Sequence, residues 1–509
     1  MTKELKQKRS LYERFIDAMT RLGEKLPPLF ILFLWLFVII AVITTIMGLF
    51  HVSTVNPLSG EIVSVQSFFS ADGISWFFTS FIDNAMDFPP FGLVLIISIA
   101  VGVCELSGLF PVLIKRVLIN VPHTFLTVAV IFLGMFFNLA SDAAIVVVPA
   151  LAGLIFYMVG RNPVVGILAG YASSAGAFGA NIIVTSYDAL LYPLTNQAAA
   201  TVDPAIQVSM VSNWFFFAVS CILLTIVGSF VTIKFIEPRF KDTPCDAVTK
   251  EPENFPLTDL EKKGLRNTLI SSLIFIGIVL AMVIPYNGWL RGENGQIINS
   301  PFMSGLPIII FAFFMTNGIV FGFTTKVYKK LVDVVDAMAE TVSTLKSFII
   351  CIIMIAQLTA LFNWSNLGTF IALSGYNAVS SIGLNAVVLL IALTIITMIA
   401  SIFISSASAL WSIFAPMFVP VFILLGFNPA VVQAAFRIGS PILSIVSPFM
   451  VYIPMVLSYL AKYTTKFNIG KLISAMIPYS VAFFIIWVLQ LVVWVVFNIP
   501  LGPDGFVYL

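Results

Sequence analysis

The amino-acid sequence predicts an all-α polytopic membrane protein with about nine transmembrane helices, two opposed re-entrant hairpins, and inverted structural repeats built on broken helices. Three observations predict it. Of 509 residues, 60% are hydrophobic and 10% charged, and the mean hydropathy is +1.05. Apolar runs of about twenty residues recur from end to end, each able to cross a ~30 Å hydrocarbon core. Several runs are interrupted by Gly, Pro and hydroxyl residues, which free backbone groups that lipid cannot satisfy.

The first 28 residues carry seven Lys and Arg and read as an amphipathic cytoplasmic stretch ending at Pro27-Pro28. No cleavable signal pattern is seen there, so the first apolar segment, 29–50, is expected to remain as an anchor. It opens a first half covering 29–236. Loop 51–76 has no Lys or Arg and is placed outside by the positive-inside rule. Residues 77–90 read as an interfacial piece, and 91–110 as the second crossing, returning to Lys115 and Arg116 inside.

Two short arms, 124–138 and 144–159, flank a polar tip at Asn138 to Asp142, so 124–159 reads as a hairpin entering from the cytoplasm. Crossing three, 164–190, is interrupted between Ser173 and Asn181. Loop 191–210 is expected outside, and crossing four covers 211–235. Residues 237–266, with Pro238, Pro244, Pro252 and Pro256, read as a cytoplasmic linker.

Thr258 and Glu261 have capping-box spacing and announce the second half, 267–509. Crossings five (268–285) and six (302–323) lead to an amphipathic stretch at 331–346. Crossing seven (347–368) is followed by an external loop, 371–384. A second hairpin, 385–425, then enters from outside. Crossings eight (430–458) and nine (473–498) leave the C-terminus external.

The two halves echo each other. Ser141 to Pro149 and Ser408 to Pro416 share a serine-to-proline spacing, and each is followed by a G-x-N-P turn, at Gly160–Pro163 and Gly426–Pro429. The offset is 267 residues at the serines and 266 at the turns. Downstream, Ala172–Asn181 falls opposite Ile438–Ser447. Matches in register over about seventy residues predict an internal duplication. Positive-inside counting puts one turn inside and the other outside, so the copies are expected to be inverted, a recurrent plan of secondary transporters.

Arg437 lies eight residues past Pro429, about 12 Å deep at ~1.5 Å per residue. An arginine at that depth costs at least about 2.5–3.5 kcal/mol on insertion scales and must face a cavity or a partner. Guanidinium matches carboxylate, so Arg437 is a candidate anion contact; a structural pair with an acidic residue is the alternative. Asp142 and Asp188 are the acidic candidates, to bind Na⁺, exchange a proton or neutralise Arg437. Asn138, Ser141, Asn181, Ser405, Ser408 and Ser447 offer oxygens at the helix breaks, chemistry that suits a hard cation but also ordinary packing. Trp411 could stack on an aromatic ring. Pro416, Pro441 and Pro448 are expected to shape the breaks.

Four scattered cysteines and two histidines give neither a disulfide framework nor a metal cluster. Nothing marks nucleic-acid binding. The absence of a P-loop argues against ATP-driven transport. No histidine base accompanies the serines, which weakens a membrane-embedded hydrolase. A channel is the third class, less favoured than a carrier.

The stretches SDAAIVVVPALAGLIF, GRNPVVGILAGY, FNWSNLG, SASALWSIFAPMFVP and FRIGSPILSIVSP resemble the aminobenzoyl-glutamate transporter (AbgT) family, and the likeness covers nearly the whole chain. The resemblance implies a homodimeric bacterial inner-membrane carrier, coupled to an ion gradient through Na⁺ or H⁺. The implied cargo is p-aminobenzoyl-glutamate, an anionic aromatic small molecule, or, in exporting members, p-aminobenzoate-like compounds and sulfonamides. It implies no enzyme activity. By residue, it assigns function to Asp188, Trp411, Pro416 and Arg437. The family usually carries Asp three residues after that Arg; here Ser440 stands there, which removes one carboxylate and leaves Arg437 more available to an anion.

Overall fold

The computed structural model describes residues 29–55, 62–140, 143–246, 257–292, 295–297, 300–382, 385–404, 406–448, 450–465 and 467–509. The amphipathic stretch assigned to 1–28 lies outside them, as do Ser141, Asp142 and Ser405.

Helix α1 (Leu29–Leu49) is the first span. A small antiparallel ribbon, β1 (Ser53–Val55) and β2 (Ile62–Ser64), follows it. Helix α2 (Ala71–Met86) runs into α3 (Pro89–Leu106), and together they form one apolar stretch of 36 residues. Residues 77–90 are thus part of a long spanning element and not a separate interfacial piece. Prolines 89 and 90 are tolerated because they open α3, where a backbone N–H has no helical acceptor anyway. Helix α4 (Leu109–Asn120) packs beside α3.

The first hairpin is α5 (Leu126–Phe136), a 3₁₀ turn at Phe137–Ala140, and α6 (Ala143–Met158). Helix α7 (Pro163–Gly176) returns from it, breaks, and resumes as α8 (Ser186–Ala199). Helix α9 (Trp214–Val231) ends through a π-helical turn and a short helical turn, Glu237–Phe240. Loop 191–210 was expected to be irregular, yet α8 continues to Ala199. Its polar residues point into the protein: Asn196 donates to Val208 O at 2.9 Å and accepts from Val208 N at 2.8 Å.

Helix α10 (Asp259–Val283) starts at the expected capping box, with Thr258 Oγ1 accepting from Glu261 N and Glu261 Oε2 from Thr258 N. Helix α11 (Leu306–Thr325) is the next span. Helices α12 (Leu331–Thr344) and α13 (Lys346–Trp364) form a bent pair at 51°. Helix α14 (Leu367–Ile382) occupies most of the segment expected as an external loop. Its small residues let it lie against α16.

The second hairpin is α15 (Ala386–Ala400) and α16 (Ala407–Leu424). Helix α17 (Pro429–Ile442) breaks before α18 (Ile453–Ala461), and α19 (Ile469–Val496) closes the series. Pro416 does not break α16; the helix runs through both Pro416 and Pro420. Among the described residues, eight helices are long and apolar enough to cross a membrane, or nine with the bent pair, by length and composition.

The order α5–α9 recurs as α15–α19. Helices α7 and α17 each have 14 residues, begin 266 positions apart, and are buried along their whole length. Fourteen residues rise about 21 Å, short of a ~30 Å core; α17 counts among the eight spans only together with the 3₁₀ turn that follows it, to Val446. Both helices therefore stop inside the protein, and their ends define the site.

Candidate functional site

Each central helix begins at a bend that glycine makes possible: Gly160 and Gly426 have φ of 76° and 86°, a left-handed conformation costly for other residues. Asn162 and Asn428 then cap the helices, their Oδ1 accepting from Val164 N at 3.0 Å and Ala430 N at 2.9 Å. At the far ends, the hairpin arms expose carbonyls that intervening chain must satisfy. Asn181 Nδ2 donates to Phe136 O at 2.8 Å, and Ser447 Oγ donates to Ile402 O at 2.6 Å. Donor and acceptor are both displaced by 266 residues between the copies, the same shift that relates the bends.

Arg437, 1% exposed, reaches from α17 into the break of the first copy. Its Nη1 donates to Asp188 Oδ1 at 2.5 Å and its Nη2 to Gly179 O at 3.0 Å. The guanidinium lies 3.8 Å from the centroid of Phe217 and 5.0 Å from that of Tyr187. Asp188 is held in turn as the third residue of α8: Oδ2 accepts from Thr185 N and Thr185 Oγ1, both at 2.7 Å. A carboxylate at a helix N-terminus also meets the positive end of the backbone dipole. Gly179, at φ 89°, presents its carbonyl to the arginine, and a Cβ there would press on the Tyr187 ring at 2.9 Å.

A second polar layer lies one to two turns along. Thr195 Oγ1 accepts from Trp411 Nε1 at 3.1 Å and from Gln433 Nε2 at 2.7 Å, and Gln433 Oε1 accepts from Asn213 Nδ2 at 2.8 Å. Trp411 packs on Phe436 with ring centroids 4.5 Å apart. This layer joins α8, α9, α16 and α17. Thr195, Gln433 and Asn213 went unread in the sequence, Thr195 because its segment resembled a loop. Gln433 carried a signal: it sits four residues before Arg437, on the same helical face.

Beside these layers is a cavity of about 480 Å³. The break of the first copy contributes Phe178, Ser186 and Tyr187 to its wall; the second copy contributes Ser406, Ser408 and Ser440. Serines 406 and 408 open α16, with Oγ atoms 3.2 Å apart, and Ser406 Oγ accepts from Ala409 N. The rest of the wall is largely aliphatic, with Val94 and Ile97 of α3 and Ile355 of α13 among its residues, and it holds no charged side chain among the described residues.

The candidates thus divide. Ser408, Ser440 and Pro441 line the cavity. Arg437 and Asp188 lie behind it, bonded to each other, with Tyr187 carrying the guanidinium on its ring and lining the cavity. Trp411 is fully buried against Phe436 and Thr195 and is not among the cavity residues, so it has no free face for a substrate ring. Asn181 and Ser447 are spent on carbonyls. Pro448 lies within the break, between the end of α17 at Ile442 and the start of α18 at Ile453. Asn138 is 1% exposed in the first hairpin's 3₁₀ turn, and neither Oδ1 nor Nδ2 has a hydrogen-bond partner among the described residues.

Two broken helices, two hairpins and a cavity between them define a polytopic membrane transporter. The chain belongs to the family described as "AbgT putative transporter family", which matches residues 14–509. It is 36% identical over 484 residues to the p-aminobenzoyl-glutamate transport protein of Escherichia coli (strain K12), covering 95% of each chain. The Alcanivorax borkumensis YdaH transporter, described as having an unusual topology, superposes with a TM-score of 0.89 at 32% identity, covering 94% of this chain and 100% of that one. Neisseria gonorrhoeae MtrF, described as illuminating a class of antimetabolite efflux pumps, gives 0.89 at 34% identity, covering 97% and 100%. All three relatives are transporters, so the hydrolase alternative has no support.

Proposed function

We propose that this protein is a secondary active transporter moving p-aminobenzoyl-glutamate, or a related aminobenzoate, through the cavity at the two helix breaks, driven by an ion gradient. The observation that carries the reading is that wall: hydroxyls and aromatic rings from both copies set in a largely aliphatic lining, with a buried ion pair behind them. A cavity of about 480 Å³ falls within the roughly 300–1,000 Å³ of small-molecule sites. An anionic aromatic molecule fits its chemistry. Phe178 and Tyr187 offer ring contacts, and the serine hydroxyls with the positive end of α16 offer hydrogen bonds to carboxylates. Arg437 then acts through Tyr187 and Asp188, as the post that fixes the break, and not as a direct carboxylate clamp.

The coupling ion is Na⁺ or H⁺. Asn138 supports a cation at the first hairpin tip, since a buried amide with neither end paired among the described residues is costly without a partner. The copies are read as inverted, with the N-terminus cytoplasmic and the C-terminus external, in a homodimer in the bacterial inner membrane. A second reading, export of p-aminobenzoate-like antimetabolites, is supported by the likeness to MtrF.

Filling the cavity tests the site. Ser408→Leu or Ser440→Leu should raise KM for labelled p-aminobenzoyl-glutamate about tenfold or more, since each removes a hydroxyl and adds bulk. Unchanged KM in both variants would remove the substrate from this cavity.

A further inference from the structure

After its last helix, each copy sends a segment back to its own first bend. In the first copy this is the stretch after α9. Arg161 Nε and Nη2 donate to the two carboxylate oxygens of Glu237, at 3.0 and 2.9 Å, and Nη2 also donates to Thr127 Oγ1 at 2.8 Å. Asn162 Nδ2 donates to the carbonyls of Phe240 at 2.9 Å and Thr243 at 3.0 Å. In the second copy it is the stretch after α19. Asn428 N donates to Val507 O and Leu509 N to Gly426 O, both at 3.0 Å, and the rings of Phe427 and Tyr508 lie 5.4 Å apart. This tail is itself fixed: Phe216 N donates to Leu501 O at 3.0 Å, and Ser212 Oγ to Asp504 Oδ1 at 2.9 Å.

The shift of 266 residues that relates the bends also takes Lys241 to Val507 and Thr243 to Leu509. The two straps therefore occupy one place in the repeat, although their chemistry differs. One is a bidentate ion pair with a side-chain clamp; the other uses main-chain hydrogen bonds and a ring contact. A purely local loop contact has no reason to recur at the repeat shift after its side chains have changed.

We propose that residues 237–243 and 507–509 are positioning elements for transport, pinning the bases of the two hairpins so that movement is confined to the tips that wall the cavity. The inference rests on the transport reading for its functional half only. A carrier must open its cavity by turns to each side, and a hairpin loose at both ends would lose the register of Ser408 against Ser440 and Tyr187. Pinning at the base turns each hairpin into a lever with one mobile end.

Hydrogen–deuterium exchange on the full-length protein in nanodiscs, with flux in proteoliposomes, tests this. Deleting 507–509 should raise exchange of amides 426–431 roughly ten- to thirtyfold and leave 160–166 unchanged, as expected for two lost backbone hydrogen bonds. Glu237→Gln should do the reverse. In flux, both should lower kcat about fivefold or more with KM within about twofold, the pattern of a positioning role. The exchanged pair Arg161→Glu with Glu237→Arg should recover more than half of the lost kcat. If the deletion does not fold, Leu509→Pro with Tyr508→Ala removes the same donor and ring. Unchanged exchange at the bends, a KM effect with kcat intact, or no recovery in the exchanged pair would overturn the proposal. If the wild type moves no p-aminobenzoyl-glutamate, the substrate reading fails, while the exchange result still decides whether the straps pin the bends.

Discussion

At the scale of single residues, Arg437 and Asp188 decide the site. Each is a charge removed from water, and each is bearable because the other is 2.5 Å away and both have further hydrogen bonds. Removing one partner strands the other, at a typical cost of about 3–5 kcal/mol. Arg437→Ala should therefore lower thermal stability in detergent and abolish transport while the chain still inserts in the membrane. Arg437→Ala combined with Asp188→Ala should be more stable than the single variant and remain inactive. Wild-type uptake in Arg437→Ala would contradict this. Lysine should not substitute, because its compact ammonium lacks the two separate nitrogens with which the planar guanidinium reaches Asp188 and Gly179 O while lying 3.8 Å from the Phe217 ring centroid. Depth and isolation made Arg437 legible in the sequence, and Asp188 was already a possible neutraliser. What could not be read was that the guanidinium is bonded to Asp188 and Gly179, or that Trp411 is enclosed by Thr195 and Phe436; both depend on contacts between segments more than two hundred residues apart.

At the scale of elements, the breaks are held by caps and cross-ties. Asn428→Ala should cost about 1 kcal/mol, as a lost N-cap does. Asn162→Ala should cost more, since the same side chain also holds the carbonyls of Phe240 and Thr243. Thermal melts of the two variants side by side check the ranking. Outside the spans, backbone N–H groups of Lys329 and Lys330 donate to Asp333 and hold its carboxyl below the usual 3.8. A lowered pKa means that the ionised form stabilises the start of α12 above that value. The contribution is lost as pH falls through the lower, folded value, so exchange at 329–334 should rise in that acid range in wild type and not in Asp333→Asn. Hairpins, the broken third crossing and the capping box were legible because Gly, Pro and Asn punctuate them. Helices α8 beyond residue 190 and α14 were not. Both segments lack Lys and Arg and so read as external loops, and their packing against neighbouring helices was not visible in that signal.

At the scale of the whole molecule, the duplication organises everything else. The bends, the caps, the Asn181 and Ser447 cross-ties and the two straps all repeat at one shift, and the cavity forms where the copies meet. The G-x-N-P turns made that shift visible in the sequence; the cross-ties and straps needed coordinates, because their residue types differ between copies. The account's central claim is that this shared cavity carries an intact solute in exchange for ion movement. Flux of labelled p-aminobenzoyl-glutamate into proteoliposomes, with Na⁺ and pH gradients imposed separately, tests it most directly. The account predicts saturable accumulation that one of the two gradients drives, with the solute recovered chemically unchanged. Flux that neither saturates nor responds to either gradient, or recovery of cleaved solute, would contradict it.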